Sequence, residues 1–412
     1  MVEKAKPPSA IDSGTGTLGG RPMIKVAGAS HNIPPVAPVP IHSPQGQSEA
    51  NGDPLIGAVV AGSGADKYKI IKAIGKGGMG KVYLATNQHD DKVAIKFILE
   101  ERLDAIAKEK GRNAEEARDT AKEMFYREAI LAGSLAHKNI TRTFDVGSYG
   151  ENVFYVMEYV EGMDLDDKNE EYEKKPVSEH WGWLGRIIAQ VCDGLYVAHT
   201  HVEMSKDTPE SEPTPKPKPI MHRDLTPDNL RITVQDGEEV VKIMDFGIAK
   251  AEGDDGMTRT GIVKGKLHYY APEYILARQR KRESYDYRVD IWALGVMMYY
   301  LLSGRHPYDV DNEFALVDAL KKEPSDPRSI RPDIPPAVAE LIMRCLQRDP
   351  DKRYQNVMQV KRDVFKTLGL EYKSEGTDSD SIDLPPSLMD YMANEMAKDD
   401  TKSKRVLLEM EE

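Results

Sequence analysis

Cysteine is almost missing from this chain: there are 2 in 412 residues, Cys192 and Cys345. Two thiols so far apart supply neither a disulfide framework nor a zinc ligand set, and they fit a reducing compartment. Long hydrophobic runs are missing too. The longest, IWALGVMMYYLL at 291–302, is too short to span a bilayer and reads as a buried helix. The N-terminal MVEKAKPPSAIDSG lacks the apolar core of a secretory signal, so the expectation is a cytoplasmic protein with no membrane span. There is no basic excess either. The 56 Lys and Arg face 68 Asp and Glu, a net charge of −12, which argues against a general nucleic-acid binder.

What is present is enough apolar content, 40%, for a sizeable core, and the length suits one large domain with tails or two domains. Residues 1–65, rich in Pro, Gly, Ser and Ala, bury too little to offset their ordering entropy and read as a disordered tail. From Tyr68 the character changes. YKIIKAIGKGG, KVYLAT and KVAIKFIL read as strands, 101–136 as helix interrupted near Gly111, and FDVGSYGENVFYVMEYV as two further strands. From 178 the chain turns helical, and Trp181, Leu184, Ile188, Val191 and Leu195 fall at core spacing. The alternating prolines of 203–219 forbid helix or central strand. They leave an extended surface insertion or a ligand for a proline-reading domain. Residues 368–412 form an acidic, polar tail.

Four stretches carry chemistry. IGKGGMGKV holds Gly75, Gly77 and Gly80 in a G-x-G-x-x-G pattern, followed by a strand and not by the helix of a dinucleotide fold. A glycine turn between two strands can lay its backbone over phosphates, because no Cβ blocks the approach. In KVAIKFIL, Val93 and Ile95 share one face, while Ala94, Lys96 and Ile98 share the other. An ammonium on that apolar face requires a partner. Glu128 on the following helix is the candidate and Glu123 its competitor. Asp224 and Asn229 of HRDLTPDNL, with Asp245 of MDFG, offer two carboxylates and one amide oxygen, the hard donors that Mg²⁺ prefers beside phosphates.

A glycine loop, a strand lysine, a helix glutamate, HRDLTPDNL, DFG and YYAPE, in that order, resemble a protein kinase from about residue 66 to 367. Gly-Gly-Met-Gly at 77–80 is similar in particular to bacterial eukaryotic-like Ser/Thr kinases. The resemblance implies an α+β, bilobal fold. A small β-rich N-lobe with its hinge would occupy 66–160, and a larger helical C-lobe, carrying the insertion, 161–367. It implies ATP and Mg²⁺ as cofactors, proteins with Ser or Thr hydroxyls as substrates, and a transient dimer for autophosphorylation.

By the same resemblance, Lys96 holds the α- and β-phosphates and is braced by Glu128, Asp224 orients the acceptor hydroxyl, and Asn229 and Asp245 hold magnesium. Met157 would be the gatekeeper, with Glu158 and Val160 reading adenine through their backbone and Asp164 facing the ribose. Ile74, Val82 and Ala94 would roof the pocket. Two residues past Asn229 the family is usually aliphatic; here stands Arg231, whose stem can cover apolar surface. Glu273 and Arg353 resemble the family's buried ion pair, and Asp290 the residue that holds the catalytic loop. Residues 251–264 would be the activation loop, with Thr258 and Thr260 as phosphorylation sites and Arg223 as the waiting cation. RQRKR at 278–282 is either a docking patch for acidic substrates or an exposed loop. His199 and His201 show no carboxylate partner in the sequence.

One departure touches the chemistry. The family's Ser/Thr branch places Lys where Thr226 stands, and Thr where Lys266 stands in GKLHYYAPE. The two side chains look exchanged, so Lys266 is expected to supply the missing cation and to hydrogen-bond Thr226. The contrasting readings are a catalytically weak kinase-fold scaffold or nucleotide-binding regulatory module, and a small-molecule kinase with the same core. Retention of Lys96, Asp224 and Asp245 opposes the first, and APE with a long activation loop opposes the second.

Overall fold

Period-two alternation in KVYLAT and KVAIKFI puts every second side chain on one face, and these segments build the centre of a six-stranded antiparallel sheet. The computed structural model describes residues 53–63, 66–77, 80–98, 114–205, 214–246, 266–280 and 285–372. The strands are β1 (Val59–Ala61), β2 (Lys67–Gly77), β3 (Gly80–Thr86), β4 (Lys92–Ile98), β5 (Thr143–Tyr149) and β6 (Asn152–Glu158), in the order β1-β2-β3-β4-β6-β5. Val93, Ile95 and Phe97 of β4 pack into one apolar cluster. Ala94 and Ile98 pack into another, on the face that meets helix α1 (Ala114–Ser134) through Phe125 and Ala129. Gly80 pairs with Gly77 across β2 and β3, and a Cβ added to Gly80 would lie 1.7 Å from the Phe97 carbonyl oxygen.

The lobe begins earlier than the composition suggests. Residues 53–63, expected in the tail, are built into the sheet: Leu55 and Val60 are buried, and β1 pairs with β2. Asp53 accepts hydrogen bonds from the Tyr83 hydroxyl at 2.8 Å and the Lys81 ammonium at 3.2 Å. The Gly- and Ala-rich composition hid this strand, because its pairing partner lies in the next segment. Residues 1–52 lie outside the described residues.

The C-lobe holds β7 (Met163–Asp164), α2 (Leu165–Asn169), α3 (Val177–His199), the ribbon β8 (Val202–Ser205) and β9 (Thr214–Pro217), then β10 (Leu230–Gln235) and β11 (Glu238–Ile243). Helices α4 (Pro272–Arg280), α5 (Arg288–Ser303), α6 (Glu313–Ala319), α7 (Pro336–Cys345) and α8 (Val357–Thr367) follow. Trp181, Leu184, Ile188, Val191 and Leu195 are buried, as their spacing requires, and α5 is buried along most of its length. Cys192 and Cys345 are both buried and free. Among the described residues no helix is long and apolar enough to cross a membrane.

Both ends of the proline-rich insertion form the β8–β9 ribbon, with Val202 opposite Pro217 and Met204 opposite Pro215. A two-stranded ribbon has only edges, so prolines two residues apart turn their missing N–H groups outward together. Residues 206–213 of the insertion and 373–412 of the C-terminal tail lie outside the described residues.

Arg353 is fully buried and donates to both oxygens of Glu273, at 2.6 and 2.8 Å, joining α4 to the turn before α8. Its remaining N–H groups reach the carbonyls of Gln347, Arg348 and Arg288, and the guanidinium lies 5.0 Å from the Trp292 ring. Removing the carboxylate leaves a buried cation without its counter-charge. Glu273→Ala should therefore cost about 3–5 kcal/mol, read as a lower midpoint in urea at unchanged slope.

Candidate active site

Strand register builds the upper wall of the cleft. Val82, Lys96 and Tyr155 lie side by side across β3, β4 and β6, and Leu84, Ala94 and Met157 form the parallel row. Lys96, mostly buried, sets its ammonium 2.8 Å from Asp245 Oδ1. The Tyr155 hydroxyl donates to the same oxygen at 3.2 Å. Burial alone would raise the Asp245 carboxyl, but Lys96, the Tyr155 hydroxyl and the charge of Lys266 hold it below the usual range. Tyr155 carries no local signal in the sequence. The signal for it is the β4–β6 register, which a single chain of letters does not carry. Glu128 and Glu123 lie on α1, but their side chains are outside the described residues.

The lower wall is HRDLTPDNL. Asp290, at the start of α5, is buried and accepts from the backbone N–H of His222 at 2.8 Å and of Arg223 at 2.9 Å. His199, without an evident partner in the sequence, lies 2.8 Å from the same carboxylate, because α3 and α5 pack side by side. Burial would raise the Asp290 carboxyl, yet His199 and the amide of His222 keep it below the ordinary carboxylate range. His222 Nε2–H donates to the Met244 carbonyl at 2.9 Å, tying this loop to the strand end that bears Asp245. Arg223 and Asp245 both adopt positive φ, 61° and 52°, a conformation that side chains resist unless neighbours hold it.

Asp224 and Asn229 meet. The Asn229 side-chain amide donates to the Asp224 carbonyl at 2.7 Å and to Oδ2 at 3.1 Å. That fixes the amide's orientation, with its nitrogen donating and its oxygen the atom able to ligate a cation. Met244 N–H donates to the Asn229 carbonyl at 2.8 Å, which brings the Asn229 and Asp245 segments together. An amide oxygen and an ionised carboxylate beside a bound lysine fit a hard divalent cation whose shell a phosphate completes.

Lys266 reaches in from the turn 266–269 and sets its ammonium 2.5 Å from Asp224 Oδ2. The expected bond to Thr226 does not form. Thr226 is buried and its hydroxyl has no hydrogen-bond partner among the described residues, because Lys266 is directed to the carboxylate. At the hinge, Glu158 pairs with Lys242 at 2.8 Å. Arg231 does not merely lay a methylene stem across the floor. Its guanidinium reaches Asp164, the residue expected to face the ribose, at 2.7 Å.

Of the remaining expected residues, Gly75 and Gly77 lie at the end of β2 and Gly80 at the start of β3, with Gly75 opposite Val82 and Gly77 opposite Gly80. Ile74 is exposed, while Val82 is partly buried and Ala94 buried against Met157 on the cleft-side face of the sheet. Val160 is buried at the hinge, where its carbonyl accepts from Arg231. Thr258 and Thr260 lie outside the described residues, as do the side chains of 278–280. Arg223 places its guanidinium 5.6 Å from the Tyr285 ring.

The family model described as "Protein kinase domain" matches residues 68–365. The probable serine/threonine-protein kinase PknB of Lactococcus lactis is 31% identical, over 76% of this chain and 43% of its own length. The tyrosine-protein kinase MasK of Myxococcus xanthus is 32% identical, over 74% of this chain and 44% of its own. The serine/threonine-protein kinase PrkC of Bacillus subtilis is 32% identical, over 75% and 41%. The chain thus spans less than half the length of these relatives. A crystal structure of the Mycobacterium tuberculosis PknI kinase domain superposes with TM-score 0.52 at 22% identity, covering 76% of this chain and 98% of that one. That likeness shows the fold.

The depressed Asp290 carboxyl has a pH consequence. Its stabilisation is fully present above the unfolded value near 3.8 and is lost as pH falls through the lower folded value. Asp290→Asn should flatten the acid limb of stability against pH below about 4 and lower stability at neutral pH, both measured by urea unfolding.

Proposed function

The chain belongs to the protein kinase family, and on that premise we propose that it transfers the γ-phosphoryl group of ATP to Ser or Thr hydroxyls of proteins in the cytoplasm, with Mg²⁺ as cofactor. The observation that carries this reading is the convergence of two pairs, Lys96 with Asp245 and Asn229 with Asp224, through contacts of 2.7–3.1 Å, joined by the Met244 N–H on the Asn229 carbonyl. Two positive-φ positions, Arg223 directly before Asp224 and Asp245 itself, bring both acids to one cleft, which favours catalysis over a scaffold.

In this reading Lys96 binds the α- and β-phosphates, and the Gly75–Gly80 turn covers them. Asn229 and Asp245 would hold Mg²⁺, which when bound neutralises charge on the phosphate oxygens. Glu158 and Val160 offer backbone groups to the base, under Ile74, Val82 and Ala94, while Glu128 braces Lys96. Asp224 orients the acceptor hydroxyl and takes its proton. The new bond joins that oxygen to the γ-phosphorus, the bond to the β–γ bridging oxygen breaks, and ADP leaves. Lys266, 2.5 Å from Asp224, supplies beside the reacting centre the positive charge that Thr226 does not. A fixed cation near developing charge stabilises the transition state more than it would in water. Thr258 or Thr260 is autophosphorylated in a transient dimer and docks on Arg223.

With labelled ATP, Asp224→Asn and Lys96→Met should each reduce autophosphorylation by about a hundredfold or more. Equal labelling of all three proteins overturns the enzyme reading. Phosphoamino-acid analysis should yield phosphothreonine or phosphoserine; phosphotyrosine alone would assign the acceptor that the name of MasK carries. Mass spectrometry should find Thr258 or Thr260 modified, and an active protein modified at neither overturns that assignment.

Lys266→Ala should lose about a hundredfold in kcat, with Thr226→Lys/Lys266→Thr recovering most of it. Undiminished turnover in Lys266→Ala removes Lys266 from the mechanism.

A further inference from the structure

Arg231 and Lys242 face each other across β10 and β11, and Arg231 faces Asp164 across β10 and β7. The three residues therefore form one cross-strand row. Their neighbours Leu230, Ile232, Val241 and Ile243 point the other way, into the C-lobe core. The row thus lies on the face turned away from that core, toward the segment 158–164 that connects the lobes. Lys242 takes Glu158 at one end of the segment. Arg231 takes the other with all three nitrogens: Nε to the Val160 carbonyl at 2.8 Å, Nη2 to the Gly162 carbonyl at 2.6 Å, Nη1 to Asp164 Oδ1 at 2.7 Å.

The segment is pressed onto β10 so closely that a Cβ on Gly162 would lie 1.9 Å from the Ile232 carbonyl oxygen. Arg231 is thus no loose cation awaiting a phosphate. A planar fork with each nitrogen engaged is already satisfied within the chain.

We propose that Arg231 determines nucleotide specificity by making Asp164 an internal counter-ion, so that this site does not select for the ribose 2′-hydroxyl. The proposal rests on the kinase reading above. A carboxylate neutralised by a guanidinium at 2.7 Å is a weaker acceptor for a sugar hydroxyl than an unpaired one. Among the described residues, the acids Asp167 and Asp228 also act on Asp164, in the direction opposite to Arg231, and neither competes with Arg231 for it.

The test compares binding of ATP and 2′-deoxy-ATP, by displacement of a fluorescent nucleotide, to the full chain. The wild type should bind the two within about twofold of each other. A hydrogen bond to a charged group is worth roughly tenfold or more in affinity, so Arg231→Leu should favour ATP by about tenfold. Arg231→Leu/Asp164→Asn should return to the wild-type ratio. The ratio, unlike either affinity alone, is insensitive to a general loosening of the connector. A wild type already selective by about tenfold overturns the inference. So does a folded Arg231→Leu, verified by its melting temperature, with an unchanged ratio. Binding of neither nucleotide to the wild type overturns the kinase reading itself, and with it this inference.

Discussion

The buried carboxylate of Asp290 is the constraint on which the cleft depends. It accepts two consecutive backbone N–H groups, of His222 and Arg223, and meets His199 from the neighbouring helix. A chain held at that point by two bonds to one rigid helix can carry positive φ at Arg223, which an unsupported loop would relax. Asp224 follows directly, so its position is inherited from α5, the most apolar helix of the C-lobe. The same anchoring reaches Asp245 through the His222 imidazole and the Met244 carbonyl.

Around this anchor, charge is arranged in pairs that span separate elements. Lys96 from the upper sheet meets Asp245 from the lower lobe, and Lys266 meets Asp224. Lys242 and Arg231 meet the two ends of the connector. Partly buried pairs of this kind are screened less by salt than surface pairs, and an unpartnered member would be costly to bury. They serve as positional locks more than as sources of stability.

The landmarks of the site were legible because their chemistry is local. HRDLTPDNL places an acid and an amide five residues apart, and the turn 227–229 folds them onto each other. Asp245 follows two residues after the end of β11, and Lys96 sits on the side of β4 that alternation assigns it, between Ala94 and Ile98. Thr226 and Lys266 stood out as an exchange, but only half of the expected contact forms. Which acceptor an ammonium chooses depends on approach direction, and the carboxylate offers a full charge where the hydroxyl offers a dipole.

Sequence alone determined the class of fold, the order of the lobes, the helical core and the residue types gathered in the candidate site. These follow from periodicity and from spacing within short segments. Tertiary structure alone decided that residues 53–63 join the sheet, that Tyr155 and Lys96 share one carboxylate oxygen, that His199 has a partner, and that Arg231 claims Asp164. Each of these is a pairing between chemical groups that chain connectivity does not make neighbours. Strand register and helix packing, which no local pattern encodes, bring them within hydrogen-bonding distance.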